Sequence, residues 1–166
     1  MKLDASGKLH TATVNVYPFR MGSEEEPEFL LIRKNSRGKS PQAGIWQVVS
    51  GKVDKGEPHW QAAVRELKEE TSLEPISLYE MGAETYYSYT RDCICIHPTF
   101  AARVAEDSTV SISDEHEDWE WLPFDQALIR LPYPNQRESI ARLRFNVIDA
   151  QPPLPFEIPE TVWKVK

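Results

Sequence analysis

Residues Gly51–Leu73 read Gly-Lys-Val-Asp-Lys-Gly-Glu-Pro-His-Trp-Gln-Ala-Ala-Val-Arg-Glu-Leu-Lys-Glu-Glu-Thr-Ser-Leu. Between Pro58 and Thr71 there is no glycine and no further proline, and the second half is built of Glu, Leu, Lys and Arg, all good helix formers. Pro58 suits a first helical turn, where its missing N–H costs nothing. Trp60, Ala63, Val64 and Leu67 recur at i, i+3, i+4 and i+7, which predicts one helical stripe facing a core. Glu66, Glu69 and Glu70 recur at i, i+3 and i+4 on another face. Three carboxylates that close repel one another and destabilise a bare helix. The spacing reads either as a solvated acidic face or as a set of oxygen ligands for a divalent cation such as Mg²⁺.

The longer pattern decides between them. Gly51, Glu57, Arg65, Glu66, Leu67, Glu69, Glu70 and Leu73 stand in one register. That register resembles the signature of the Nudix hydrolases, which has a glycine, five residues, a glutamate, seven residues and then Arg-Glu-apolar-x-Glu-Glu-x-Gly-apolar. The departure is Ser72, where the family has glycine; it falls at the helix end, where glycine relieves a left-handed backbone. The resemblance implies that Glu66, Glu69 and Glu70 bind Mg²⁺ or Mn²⁺ and that Glu57 is a further ligand, directly or through water. It gives Arg65 the task of holding the glutamates by charge-assisted hydrogen bonds. Gly51 joins the substrate-binding set. The implied fold is an α/β sandwich with a central mixed sheet between helices.

The sequence elsewhere is similar to one group within that family, the dihydroneopterin triphosphate pyrophosphatases. The similar residues are Trp46-Gln47 leading to Ser50-Gly51, Glu115-His116 followed by Trp121-Leu122, and Asn135-Gln-Arg-Glu-Ser-Ile140. The resemblance implies metal-dependent hydrolysis of a phosphoanhydride in a triphosphate substrate, with release of pyrophosphate and a monophosphate. Other nucleoside-diphosphate-linked substrates and a non-catalytic nucleotide-binding module use the same fold. Water attacks phosphorus without a covalent intermediate, so the chemistry needs a carboxylate base. Glu66 and Glu115 are the two candidates, and Glu115 is also a candidate metal ligand. Glu115 stands in an acidic run with Asp114, Glu117 and Asp118, which reads equally as loop surface. His116 competes with it as a base but reads first as a structural hydrogen-bonder.

Arg33, Lys34, Arg37 and Lys39 cluster in a chain of net charge −7. They read as a solvated loop or as a clamp on substrate phosphates. The negative balance argues against long nucleic acid as a partner. A small phosphoanhydride remains compatible, since bound metal inverts the local field. With 166 residues, 40% of them hydrophobic, one domain is expected over 1–166, its core at about 10–148 and a proline-rich tail at 149–166.

Cys93 and Cys95 are two apart in an apolar run and read as buried hydrophobes in a reducing, cytoplasmic setting, with His97 near but alone as a metal partner. No run reaches the length of a membrane span. Strands are predicted from Leu9 to Phe19, with Pro18 marking an edge or end, and over 29–32 and 45–50. A tyrosine-rich hairpin follows over 76–104, then a last strand around Trp119 and Trp121. A short helix is expected over 123–129 and a last one capped by Asn135 with Glu138 as reciprocal partner. The prolines of the tail exclude regular structure there. Trp46, Tyr86, Tyr87 and Phe100 are available to stack on a base, though each fits a core equally well.

Overall fold

The computed structural model describes residues 9–150 and 156–164. The strands are β1 (Leu9–His10), β2 (Thr13–Met21), β3 (Pro27–Lys34), β4 (Trp46–Gln47), β5 (Val49–Lys52), β6 (Ser77–Ser88), β7 (Cys93–Arg103), β8 (His116–Pro123) and β9 (Glu157–Ile158). The helices are α1 (His59–Thr71), α2 (Phe124–Arg130), α3 (Pro134–Leu143) and α4 (Glu160–Trp163), with a π turn over Arg144–Ile148 after α3. All nine strands form one mixed sheet, and helices cover both its faces, so the α/β sandwich expected from the sequence is the fold.

β2 is the hub. Along one side it runs parallel to β7, from Asn15 opposite Thr99 to Phe19 opposite Arg103. Along the other it pairs first with β5 (Thr13 to Val16) and then with β3 (Phe19 to Met21), both antiparallel. Pro18 therefore lies inside a central strand and not at an edge. It is tolerated because it falls in the two-residue gap between the β5 and β3 pairings, where no ladder bond is lost on that side. The strand predicted from Leu9 breaks at Thr11 and Ala12. Its first two residues form β1, parallel to β7, with Leu9 opposite Ile94 and His10 opposite Cys95.

Alternation along the strands sorts the core into two layers. Val14, Val16, Leu30, Ile32 and Val49 pack against Ala62, Ala63 and Leu67 of α1. Tyr17, Phe19, Phe29 and Leu31 pack on the other face against Ala127 of α2 and Ile140 and Leu143 of α3. The apolar run Phe29–Ile32 is buried on both faces, as its composition predicts. Trp60 and Val64 are only partly buried at the margin of the α1 layer, while Ala62 takes a fully buried place.

Two further expectations fail. α3 begins at Pro134, whose fixed φ presets the first turn, with Tyr133 as N-cap; Asn135 lies inside the helix and its Nδ2 donates to the Thr85 carbonyl at 2.8 Å. The tail also holds regular structure. Pro152, Pro153 and Pro155 lie outside the described residues, but β9 adds to the edge of β6, Leu78 opposite Ile158, and α4 delivers Trp163 into the α1 layer. Trp163 donates its indole N–H to the Ile158 carbonyl at 2.9 Å, so its one polar atom is satisfied where it is buried. Residues 1–9 are expected from the sequence to be loosely structured; 1–8 lie outside the described residues, and Leu9 belongs to β1.

Candidate functional site

α1 is entered through the turn after β5, and that approach is very close. A Cβ on Gly51 would stand 1.8 Å from Cδ of Glu66. Glycine is required there because the Glu66 side chain occupies the space, so Gly51 acts by admitting a carboxylate. At the other end of α1, Ser72 holds a left-handed conformation (φ 61°, ψ 12°) with its N–H bonded to the Lys68 carbonyl. The backbone geometry for which glycine is the usual residue is thus kept, with serine carrying the strain.

Arg65 organises the acidic face. Its Nε and Nη2 both donate to Glu57 at 2.9 Å, Nη1 donates to Glu66 at 2.9 Å and to Glu69 at 3.2 Å, and Nη2 also reaches the Lys52 carbonyl at 2.8 Å. Glu57 accepts the Asp54 N–H as well, at 2.9 Å. The hydrogen bonds from Arg65 hold the Glu57 carboxyl below its usual range. Both Glu57 oxygens are thereby engaged, which makes it the anchor of Arg65. Glu66 and Glu70 are nearly buried and Glu69 is exposed.

Glu70 is the least satisfied group in the cluster. Its Oε2 is buried and has no hydrogen-bond partner. Burial, and then the charge of Glu66, push its pKa up to about 8. Burial likewise raises Glu66, against the opposing pull of Arg65. Carboxylates packed together at the expense of their own ionisation fit a cation bound among them. Glu66, Glu69 and Glu70 are the residues that could hold it.

The loop before β8 is stitched onto the end of α1. Ser111 and Ser113 donate their backbone N–H groups to the carbonyls of Thr71 and Glu70 at 2.9 and 3.1 Å, which satisfies helix-terminal acceptors. This brings Glu115 close enough for its charge to act on Glu66 and Glu70. Glu115 itself is exposed and paired with Lys34 at 2.9 Å, and Lys34 keeps its carboxyl below the ordinary range. His116, expected to make a structural hydrogen bond, makes none. Both of its ring nitrogens are buried without partners, Nε2 stands 4.0 Å from Glu70, and burial lowers its pKa to about 4, so it is neutral there.

The acidic run is more than surface. Glu117 accepts both the N–H and the hydroxyl of Ser36, at 3.0 and 2.6 Å, and pairs with Arg33 at 3.3 Å. It thereby fastens the basic loop. Of the four basic residues in that loop, Lys34 alone lines the cleft beside the glutamates. Arg33 is tied to Glu117 and to the Gly44 carbonyl, while Arg37 and Lys39 are exposed.

The cleft has a volume of about 290 Å³. Lys34 and Ser50 both line it, and Lys34 pairs with Glu115 of the carboxylate cluster. Asn15, Glu84, Tyr86, His97, Asn135 and Gln136 are among the rest of its polar lining. Sequence reasoning missed Glu84. It is buried and accepts from Asn15 Nδ2 at 3.0 Å, from the Ser139 hydroxyl at 2.9 Å and from the Tyr17 hydroxyl. No local pattern marks it, because its partners come from β2 and α3. Of the four aromatic candidates, Tyr86 alone lines the cleft. Phe100 is in the core, Tyr87 bonds Asp92, and Trp46 carries the Arg130 guanidinium on its ring face at 4.7 Å.

A glutamate helix with an arginine clamp is set beside a cleft on a mixed sheet. The NUDIX domain family model matches residues 9–143, and the chain belongs to that family of pyrophosphohydrolases. The octanoyltransferase of Myxococcus xanthus is 31% identical over 144 residues, 85% of this chain, and the match spans 38% of that protein's length. The asymmetrical bis(5'-nucleosyl)-tetraphosphatase of Caenorhabditis elegans is 32% identical over 103 residues, 61% of this chain and 71% of the relative. The dihydroneopterin triphosphate pyrophosphohydrolase of E. coli superposes with a TM-score of 0.68 at 18% identity, covering 84% of this chain and all of that one. That last likeness is one of fold, and the relatives by sequence carry other names. No helix among the described residues is long and apolar enough to cross a membrane.

Proposed function

We propose that this chain is a divalent-metal-dependent pyrophosphohydrolase. It cleaves a phosphoanhydride in a nucleotide-like triphosphate, dihydroneopterin triphosphate or a (deoxy)nucleoside triphosphate, to give pyrophosphate and a monophosphate. The observation that carries this reading is the buried, unpartnered Glu70 oxygen among Glu66, Glu69 and Glu70, in a cluster that Glu115 and its partner Lys34 connect to a polar cleft. Mg²⁺ or Mn²⁺ bound there would neutralise phosphate charge and lower the pKa of water. Arg65, anchored by Glu57, holds Glu66 and Glu69 in place before the ion arrives. Gly51 keeps the path of Glu66 open.

Lys34 presents its ammonium to phosphate oxygens at the cleft wall and keeps Glu115 ionised. Glu115 then accepts the proton of the attacking water as the new P–O bond forms and the bridging P–O bond breaks. Glu66 takes that role if Glu115 serves only as a ligand. The base or pterin lies among Asn15, Tyr86, His97 and Asn135.

A dinucleoside polyphosphate is the second reading, favoured by the sequence likeness to the bis(5'-nucleosyl)-tetraphosphatase. Purified protein with Mg²⁺ should be screened against dihydroneopterin triphosphate, nucleoside triphosphates, dinucleoside polyphosphates and nucleotide sugars. Released phosphate and pyrophosphate are resolved by ion chromatography, with Glu69→Gln as the inactive control. Turnover of a triphosphate above the others supports the first reading. No turnover of any compound, with substrate and metal binding intact, leaves a nucleotide-binding module.

A further inference from the structure

We propose that His10, Cys95 and His97 form a second metal centre, selective for a soft divalent ion of the zinc type, on the far wall of the cleft. Cys93, Cys95 and His97 alternate along β7 and so share one face of the sheet. His97 was expected to lack partners, but the parallel pairing of β1 places His10 directly opposite Cys95. The imidazole nitrogens and the thiol sulfur of these three residues all lie within 4.8 Å of one another. Around a tetrahedral zinc ion, with bonds of about 2.3 Å to sulfur and about 2.0 Å to nitrogen, neighbouring donors stand roughly 3.3–3.8 Å apart. Side-chain rotation closes the difference.

Two independent features fit a ligand there. His10 Nδ1 is buried and has no hydrogen-bond partner. His97 Nε2 has only a long 3.5 Å contact with the Tyr86 hydroxyl. Cys93 Sγ lies 3.9 Å from Cys95 Sγ but outside the three-residue cluster, so water from the cleft is the fourth ligand. The donor set of imidazole and thiolate selects zinc-type ions, whereas the α1 carboxylates select magnesium-type ions. Binding removes the Cys95 thiol proton to solvent and ties β1 to β7.

The test uses Zn²⁺ and Co²⁺ on the full chain, with Mg²⁺ in large excess to keep the glutamates occupied. We expect one ion per chain and, with Co²⁺, a thiolate-to-cobalt charge-transfer band. Zn²⁺ should also protect one thiol from a disulfide reagent. Cys95→Ser should abolish the band, and His10→Asn or His97→Asn should weaken Zn²⁺ binding by on the order of a hundredfold. Absence of the band overturns the proposal. So does Zn²⁺ affinity that falls in Glu69→Gln but not in His10→Asn. Should Cys95→Ser fail to fold, the band of the unaltered protein and its response to His10→Asn decide the matter. None of these readouts depends on catalysis, so the result stands apart from the fate of the hydrolase reading.

Discussion

Glu115 and Gly51 carry the sharpest tests at the level of single residues. Glu115→Gln, assayed at saturating Mg²⁺, should lose about 10²–10⁴ in kcat, the range for removing a general acid or base. Glu117 is not the neutral neighbour it resembles in sequence, because it fastens Ser36 and Arg33; Asp114→Asn is the better control and should change little. Equal small losses in both variants would return the chemistry to Glu66. Gly51→Ala should keep the fold, by circular dichroism, and lose about 10²-fold in kcat, because the new methyl displaces the Glu66 carboxylate. Glu66, Glu69 and Glu70 were legible in sequence because helical spacing alone puts them together. Glu84 and the pairing of His10 with Cys95 were not, since each depends on register between strands far apart in the chain.

Elements were legible wherever period and punctuation agreed. The hairpin of β6 and β7, the doubly buried β3 and helix α1 all follow from alternation or from i, i+3, i+4 spacing. The start of α3 was misread because two local signals competed, and the backbone preset of Pro134 outranked the cap of Asn135. β9 escaped because it is two residues long and gains its order from the edge of β6. The end of α1 gives a stability test. A left-handed conformation costs a non-glycine residue about 1–2 kcal/mol, and glycine returns roughly 0.5–1 kcal/mol through the unfolded chain. Ser72→Gly should therefore stabilise by about 0.5–1 kcal/mol and raise Tm by about 1–3 °C in a calorimetric scan. An unchanged or lower Tm would mean that the contact of the Ser72 hydroxyl with the Ser111 carbonyl outweighs the strain.

The whole molecule should register the acidic cluster as a dependence of stability on pH. An unfolded glutamate ionises near 4.5, whereas Glu70 in the metal-free fold ionises only near 8. Between those values the native state holds a proton that the unfolded chain has lost, so stability falls as pH rises from about 4.5 to about 8. Glu66, also raised, acts in the same direction. Glu57, whose pKa is lowered, acts oppositely and only below about 4.5. In chelator, Tm should decline across that window; Mg²⁺ should raise it most at the alkaline end, and Glu70→Gln should flatten the chelator curve. A Tm in chelator that is flat for the unaltered protein would show that Glu70 ionises normally.

β9 and α4 bear on the order of assembly. Leu78 must wait for Ile158, and the layer under α1 must wait for Trp163, both from the end of the chain. On a ribosome, α1 emerges long before the indole that completes its apolar layer, at about 5–20 residues per second. The nascent chain thus passes through a stage with the acidic helix made and the place of Trp163 in that layer still open, when chaperone capture competes with closure.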